Sequence, residues 1–211
     1  KKGMNVMTES SVESVKKKGK GVTVSIKTKK ETVTVDADVV LSAVGVVGNV
    51  ENIGLDKAGV KHERGDILVD RTTYKTSAEG IYAIGDVIGA PWLAHKASHE
   101  AIVLVEQLAG KNPQPVNYEN IPGCTYCEPQ VASVGLTEAA AKEKGYDVKV
   151  GKFPFSASGK ATGMGHEEGF VKVVFDAKYG EWLGCHMIGS HVTEMIAEAV
   201  VARELETTGH G

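Results

Sequence analysis

The sequence predicts a mixed fold, α/β in its first part and α+β with an antiparallel sheet in its last. Glycine is in excess, with 25 among 211 residues, and such an excess is typical of tight turns and close backbone approaches. The composition of 42% hydrophobic and 24% charged residues excludes a disordered or collagen-like chain. The last third shows strands and helices without strict alternation, which favours an α+β module.

Length, net charge and cysteine count further narrow the class of protein to which this sequence can belong. A length of 211 residues predicts one large domain or two small ones. A net charge of -3 does not indicate the basic surface that a nucleic-acid-binding protein carries. No apolar run approaches the roughly 20 residues of a membrane helix. Three cysteines are an odd number, which speaks against a disulfide framework and favours a reducing, cytoplasmic location.

The first region predicts a small antiparallel sheet. Residues 22–26 and 31–35 alternate apolar and polar side chains, as strands joined by a short connection do. The apolar run at 38–42 predicts a buried strand that leads into a glycine turn at 45–48. The basic run at 16–20 invites an anion-binding interpretation, but a solvated hairpin tip is the favoured one.

The second region predicts short strands and one long helix. Residues 67–69 and 81–84 are short β runs, and a helix is predicted from 93 to 109 with Gly110 ending it. Helical spacing predicts an apolar face for this helix, formed by Leu93, Ala97, Ala101, Leu104, Val105 and Leu108.

The third region begins near Asn120. It predicts strands at 131–134, 148–155, 170–175 and 182–188, with a helix that Thr137 caps and Gly145 ends. A last helix begins near Val192 and carries one apolar stripe, formed by Val192, Met195, Ile196, Ala199 and Val200.

The segment 76–101 carries the strongest chemical signal. A predicted buried strand ends at Gly85, where the missing side chain lets a ligand approach the backbone. Asp86 then presents a carboxylate at the carboxyl end of that strand, where open α/β sheets bind ligands. The following helix begins with Leu93, Ala94 and His95, so its free amides and positive dipole end suit an anionic group.

These residues resemble a known family. The I-Y-A-I-G-D run and the W-L-A-H-K-A element are similar to the second flavin-binding fingerprint of the pyridine nucleotide-disulfide oxidoreductases, and the second element to their dihydrolipoamide dehydrogenase branch. The resemblance implies three parts: residues 1–46 as the tail of a Rossmann-like NAD domain, 47–118 as a central FAD-contacting domain, and 119–211 as a dimerisation domain truncated at its end.

The resemblance also implies site residues for two cofactors. Those expected to contact FAD are Gly85, Asp86, Trp92, Leu93, Ala94 and His95. Gly45 and Val12 are expected to contact NAD. One departure is the loop at 46–48, Val-Val-Gly, where many relatives carry two arginines and a proline, so a charged contribution from this loop is not expected.

The implied reaction passes electrons from dihydrolipoamide through a redox disulfide and FAD to NAD, in a homodimer that serves the lipoyl domain of a 2-oxoacid dehydrogenase or glycine cleavage complex. A mitochondrial matrix location applies to a eukaryotic source. The disulfide, the FAD phosphate loop and the catalytic His-Glu pair are absent from these 211 residues, and His210 is not followed by the proline of that motif. We therefore expect a piece of a longer enzyme, inactive alone, whose bare first residues and abrupt end agree with this interpretation.

Three alternatives remain open: a non-catalytic dimerisation module, a sister NAD(P)H-dependent disulfide reductase, and a thiol-redox module. The last rests on the C-x-x-C spacing of Cys124 and Cys127. A structural role is favoured for these cysteines, because the residues after them predict a strand and no second ligand pair for zinc is present. His191 and Glu194, one helical turn apart, are favoured as a surface pair over a metal site.

Overall fold

The computed structural model describes residues 3–209, so His210 lies outside the described residues. The chain divides into two compact units, residues 1–46 and residues 47–211.

The first unit contains a three-stranded antiparallel sheet in the order β1-β2-β3. Its strands are β1 (Ser11–Lys18), β2 (Gly21–Lys27) and β3 (Thr32–Ala37). The two predicted strands are confirmed as β2 and β3. The basic run lies at the end of β1 and in the turn to β2, as predicted for a hairpin tip.

The predicted buried strand at 38–42 is wrong. These residues have no strand structure, and Val39 and Leu41 are 82% and 88% exposed. A strand needs a neighbour that takes up its backbone hydrogen bonds, and no described residue of this unit pairs with the segment. An apolar run indicates burial only where a partner surface exists.

The central part of the second unit holds little regular structure before its long helix. It contains β4 (His62–Glu63), β5 (Asp66–Ile67), a 3-10 turn at Gly85–Ile88 and α1 (Ala94–Leu108). The strand predicted at 67–69 is thus shorter, and the one predicted at 81–84 is reduced to a single bridge between Tyr82 and Lys75. The backbone hydrogen bonds of this segment close a tight local loop with residues 74–76 and do not connect it to a sheet.

Helix α1 is confirmed within one residue at each end, but its predicted apolar face is buried only in part, with Leu104 packed against the core. Val105 and Leu108 are 63% and 60% exposed. The buried face carries Lys96, Glu100 and Val103. Charged side chains are buried only when they are paired, so periodicity of apolar residues misplaces part of this face.

Residues 119–209, which belong to the predicted dimerisation domain and are called the interface part below, contain a five-stranded antiparallel sheet in the order β6-β7-β10-β9-β8. The strands are β6 (Gly123–Thr125), β7 (Gln130–Gly135), β8 (Val148–Pro154), β9 (Phe170–Asp176) and β10 (Trp182–Gly189). The four strands predicted for this region are confirmed as β7 to β10.

Three helices accompany this sheet: α2 (Glu138–Glu143), α3 (Gly159–Met164) and α4 (Val192–Glu204). The Thr137 side chain caps α2 by accepting from the amide of Ala140 at 3.1 Å, as predicted. The apolar stripe of α4 packs against β7 and β10 and forms the main core with them. Helix α3 was not predicted, because its glycine-rich sequence has low helix propensity.

Within residues 3–209, no helix is long and apolar enough to cross a membrane.

Candidate functional site

The site predicted from the sequence centres on the loop at 85–90, which contains the 3-10 turn and leads toward α1. Two glycines shape this loop: Gly85 has φ +77° and Gly89 has φ +90°, values that other residues adopt only with strain. A Cβ at Gly89 would also lie 2.7 Å from Oδ2 of Asp66. Both glycines are therefore required by the path of the backbone.

Two cations hold the carbonyl groups of the loop. The Lys96 ammonium donates to the carbonyl oxygens of Gly85 and Gly89 at 3.0 and 3.1 Å. The Arg71 guanidinium donates to those of Ile88 and Ala90 at 2.9 and 3.0 Å. Four carbonyl groups of one short loop thus point toward positive charge.

Glu100, one turn after Lys96 on α1, completes this arrangement. Its Oε2 accepts from the amide of Gly85 at 2.7 Å, and its Oε1 accepts from the Tyr118 hydroxyl at 2.7 Å. Oε1 also lies 3.4 Å from Nζ of Lys96, and both side chains are 0% exposed. This burial is tolerated because each charge has an opposite partner and hydrogen bonds to fill its remaining capacity.

Tyr118 connects Arg71 to Glu100, the ion-pair partner of Lys96. Its ring lies under the Arg71 guanidinium, with Cζ 5.2 Å from the ring centroid. Burial, together with the hydrogen bond to Glu100, raises the pKa of Tyr118 well above its usual value. The hydroxyl therefore stays protonated and remains a donor to the carboxylate.

Asp86 behaves differently from these anchored groups. It is exposed, on the 3-10 turn. Within residues 3–209 its carboxylate makes no hydrogen bond or ion pair, whereas its backbone oxygen accepts from the amide of Gly89 at 3.1 Å. The carboxylate is thus available to an external donor.

The amino end of α1 is likewise available. The residue that precedes the helix, Leu93, has no side-chain oxygen, and no side chain caps this end. The first amides of a helix lack intrahelical acceptors, and the positive end of the macrodipole lies here. Donors and positive potential at this point suit an anionic or electron-rich group.

The predicted FAD residues therefore share one continuous segment. Gly85 is buried and Asp86 exposed; Trp92 is 41% exposed, Leu93 is half-buried, and Ala94 and His95 are exposed. Nε2 of His95 lies 3.0 Å from the carbonyl oxygen of Pro122, which fixes its imidazole ring.

The two predicted NAD residues lie in the first unit. Val12 is 61% exposed on β1, and Gly45 has φ +116° with open space around its Cβ position. Both are accessible, and their role stays a prediction.

Sequence reasoning missed Lys96, Glu100, Arg71 and Tyr118. The signal that could have found the first two is their opposite charge at i,i+4 spacing, which places both on one helix face. That spacing is more common on solvated faces. Arg71 and Tyr118 lie far from the loop in sequence and carry no comparable pattern.

Cys124, Cys127 and Cys185 are all free thiols. Burial raises the pKa of Cys124, and it raises that of Cys185 to about 11. A redox-active thiol needs the opposite shift, so the thiol-redox alternative is not supported. Among residues 3–209, no three His, Cys, Asp or Glu side chains are placed to hold a metal ion.

The chain matches two models of one protein family. The model described as pyridine nucleotide-disulphide oxidoreductase matches residues 1–101. The model of the dimerisation domain of the same family matches residues 121–210. Members of this family use FAD and a nicotinamide nucleotide.

A curated relative from Rhizobium etli named dihydrolipoyl dehydrogenase is 52% identical over 210 residues, which are 99% of this chain and 44% of that protein. The chain therefore spans less than half the length of that relative.

Two solved structures are similar to this one. The Cu(II) complex of the flavoprotein disulfide reductase RclA from Escherichia coli matches with a TM-score of 0.83 and 26% identity, over 94% of this chain and 44% of that one. LpdA from Mycobacterium tuberculosis matches with a TM-score of 0.83 over 93% of this chain and 42% of that one. At 24% identity, the second likeness shows the fold alone. Together with the two family models, these findings show that the chain belongs to the pyridine nucleotide-disulphide oxidoreductase family.

Proposed function

We propose that this chain forms the end of the NAD domain, the central FAD-contacting part and the interface part of an FAD- and NAD-dependent dihydrolipoyl dehydrogenase. The observation that carries the proposal is the loop at 85–90, whose exposed Asp86 carboxylate has no partner among residues 3–209 and which leads toward the start of α1, where no side-chain cap is made by Leu93. The identity of 52% with a relative of that name supports the choice of reaction. A cytoplasmic location remains a prediction.

The residues present fit a flavin cofactor. The Asp86 carboxylate can accept hydrogen bonds from the hydroxyl groups of a ribityl chain, and Gly85, at φ +77°, supplies the backbone turn that leads into Asp86. The amides at 94–96 can donate to the electron-rich pyrimidine edge of the ring, and the helix dipole stabilises negative charge there. When bound, FAD supplies the electron chemistry between the disulfide and NAD. This chain's residues bind and orient it.

The proposed division of labour follows three segments. Residues 1–46, with Val12 and Gly45, complete the NAD domain. Residues 47–118 contact FAD, and residues 119–211 form the surface of a homodimer. The redox disulfide, the flavin phosphate loop and the catalytic His-Glu pair come from segments outside these 211 residues, so this chain alone is inactive. The partner that delivers substrate is a lipoyl domain.

A chimeric enzyme tests this proposal. The matched 44% of the Rhizobium etli relative is replaced by this chain, and NAD reduction by dihydrolipoamide is measured beside flavin content. A yellow dimer that reduces NAD supports the proposal. A flavin-loaded chimera that instead reduces another disulfide with NADPH would favour a sister reductase, the alternative supported by the likeness to RclA.

A flavin-free chimera would count against a cofactor role for the loop. The unaltered chain of 211 residues provides the control for the non-catalytic alternative. Sedimentation of this chain without flavin measures whether the interface part dimerises alone, and lipoamide-dependent NADH production by this chain alone would contradict the division of labour.

A further inference from the structure

The loop at 85–90 is fixed to an unusual degree for an irregular segment. Lys96 and Arg71 each hold two of its carbonyl oxygens at 2.9–3.1 Å, and the Asp86 carbonyl is taken by the amide of Gly89. Backbone groups that bind inside the protein are unavailable to a ligand. What the loop offers outward is the carboxylate of Asp86.

Lys96 occupies a position that works against helix stability. It is the third residue of α1, and a cation in the first turn is disfavoured by the macrodipole. It is also fully buried, which adds a desolvation cost. An apolar side chain of similar volume would fill this space without either cost, so filling the core does not account for a lysine here.

Glu100 gives Lys96 its specific effect. The pair holds both sides of one residue, because Lys96 takes the carbonyl of Gly85 while Glu100 takes its amide. Gly85 precedes Asp86 directly and has φ +77°. The pair therefore sets the direction in which the chain enters Asp86, and it does so from the helix whose amino end forms the other half of the site.

Arg71 extends the same control to the far end of the loop. It holds Ile88 and Ala90, and Tyr118 connects it to Glu100 through its ring and its hydroxyl. The two cations thus act on one loop through one connected network. Hydrogen bonds linked in this way polarise and strengthen one another.

We infer that Lys96, Glu100 and Arg71 are positioning residues for the flavin: they turn the loop's carbonyls inward so that Asp86 and the first amides of α1 face the cofactor. This inference rests on the proposed function. None of the three residues touches the flavin in this account. Their effect passes through the backbone of the loop.

Two readouts test the inference on the 211-residue chain. The first is amide hydrogen exchange at Gly85 and Gly89 without flavin. The second is the change in amide chemical shifts at 85–95 during titration with FAD. This chain is expected to bind FAD weakly, and chemical shifts remain measurable for weak binding.

The variants separate charge from folding. The double variant Lys96→Met with Glu100→Gln leaves no unpaired buried charge, so it is expected to fold. Arg71→Gln changes an exposed residue and removes the far anchor alone. Lys142→Met is the matched control, because Lys142 also forms an i,i+4 ion pair, with Glu138, but its side chain is 61% exposed and lies on a different helix, α2.

We expect exchange at Gly85 to be about tenfold faster in the double variant, because the acceptor of its amide hydrogen bond changes from a charged carboxylate to a neutral amide oxygen. The dissociation constant for FAD should rise about tenfold in the double variant and in Arg71→Gln, with no change in Lys142→Met. Faster exchange with unchanged FAD binding would overturn the inference and leave the proposed function standing. If the amide chemical shifts of residues 85–95 in the wild-type chain do not change on addition of FAD, both the inference and the proposed function are overturned.

Discussion

Replacing Lys96 with methionine would leave the Glu100 carboxylate charged in a site that is 0% exposed. Two hydrogen bonds to carbonyl oxygens, at 3.0 and 3.1 Å, would be lost with the ammonium group. Removing one partner of a buried ion pair costs about 3–5 kcal/mol. A domain of 150–250 residues loses roughly 2–4 °C of Tm per kcal/mol, so Tm should fall by about 10 °C.

A double-mutant cycle measured by urea unfolding separates the pair from its surroundings. Glu100→Gln added to Lys96→Met should recover about 2 kcal/mol, because the unpaired charge is gone, the glutamine oxygen can still accept from the Gly85 amide, and its NH2 group can donate to the Tyr118 hydroxyl oxygen. Lys142→Met, at the exposed pair, should change stability by less than about 1 kcal/mol. If the Lys96→Met variant is as stable as wild type, or if the effects of the two substitutions on unfolding free energy are purely additive, the two buried charges do not stabilise each other.

Three further predictions concern the interface part. Hydrogen bonds from Lys142 and Lys172 lower the pKa of Glu138 to about 2. The stabilisation that the Glu138 carboxylate contributes should be full above about pH 4.5 and fall as the pH drops toward 2. The urea midpoints of Glu138→Gln should lack this part of the pH dependence. Arg203→Met should cost about 2–3 kcal/mol in urea unfolding, because Arg203 donates to the carbonyls of Trp182 and Glu119, and Arg203→Lys should recover less than half of the loss. Iodoacetamide at pH 7 should alkylate Cys185 only through unfolding, since burial raises its pKa to about 11. Labelling as fast as that of a solvent-exposed cysteine would contradict its burial.

The interface part was the most predictable from sequence. Its strands alternate or run apolar between clear turn signals, and α4 carries an apolar stripe that the structure buries at Val192, Ile196 and Ala199. Local pattern and tertiary burial agree there, because one sheet and one helix cover each other.

The central part was predictable in its elements and not in its contacts. The bounds of α1 follow from local signals, but its buried face does not, since Lys96 and Glu100 are buried only through partners at Gly85, Gly89 and Tyr118. The strand predicted at 38–42 failed for a related reason. Burial of an apolar run depends on a neighbouring surface, which no local pattern specifies.

The proposed function requires that the loop at 85–90 and the start of α1 face FAD. Titration of the ¹⁵N-labelled chain with FAD, and in parallel with NAD, maps which backbone amides change their chemical shifts. We expect FAD to shift the amides of Gly85, Asp86 and 92–95, and Asp86→Asn to weaken this response, while NAD shifts those of Val12 and Gly45. Shifts confined to β8 on addition of FAD, or none at 85–95, would show that this loop does not face the cofactor.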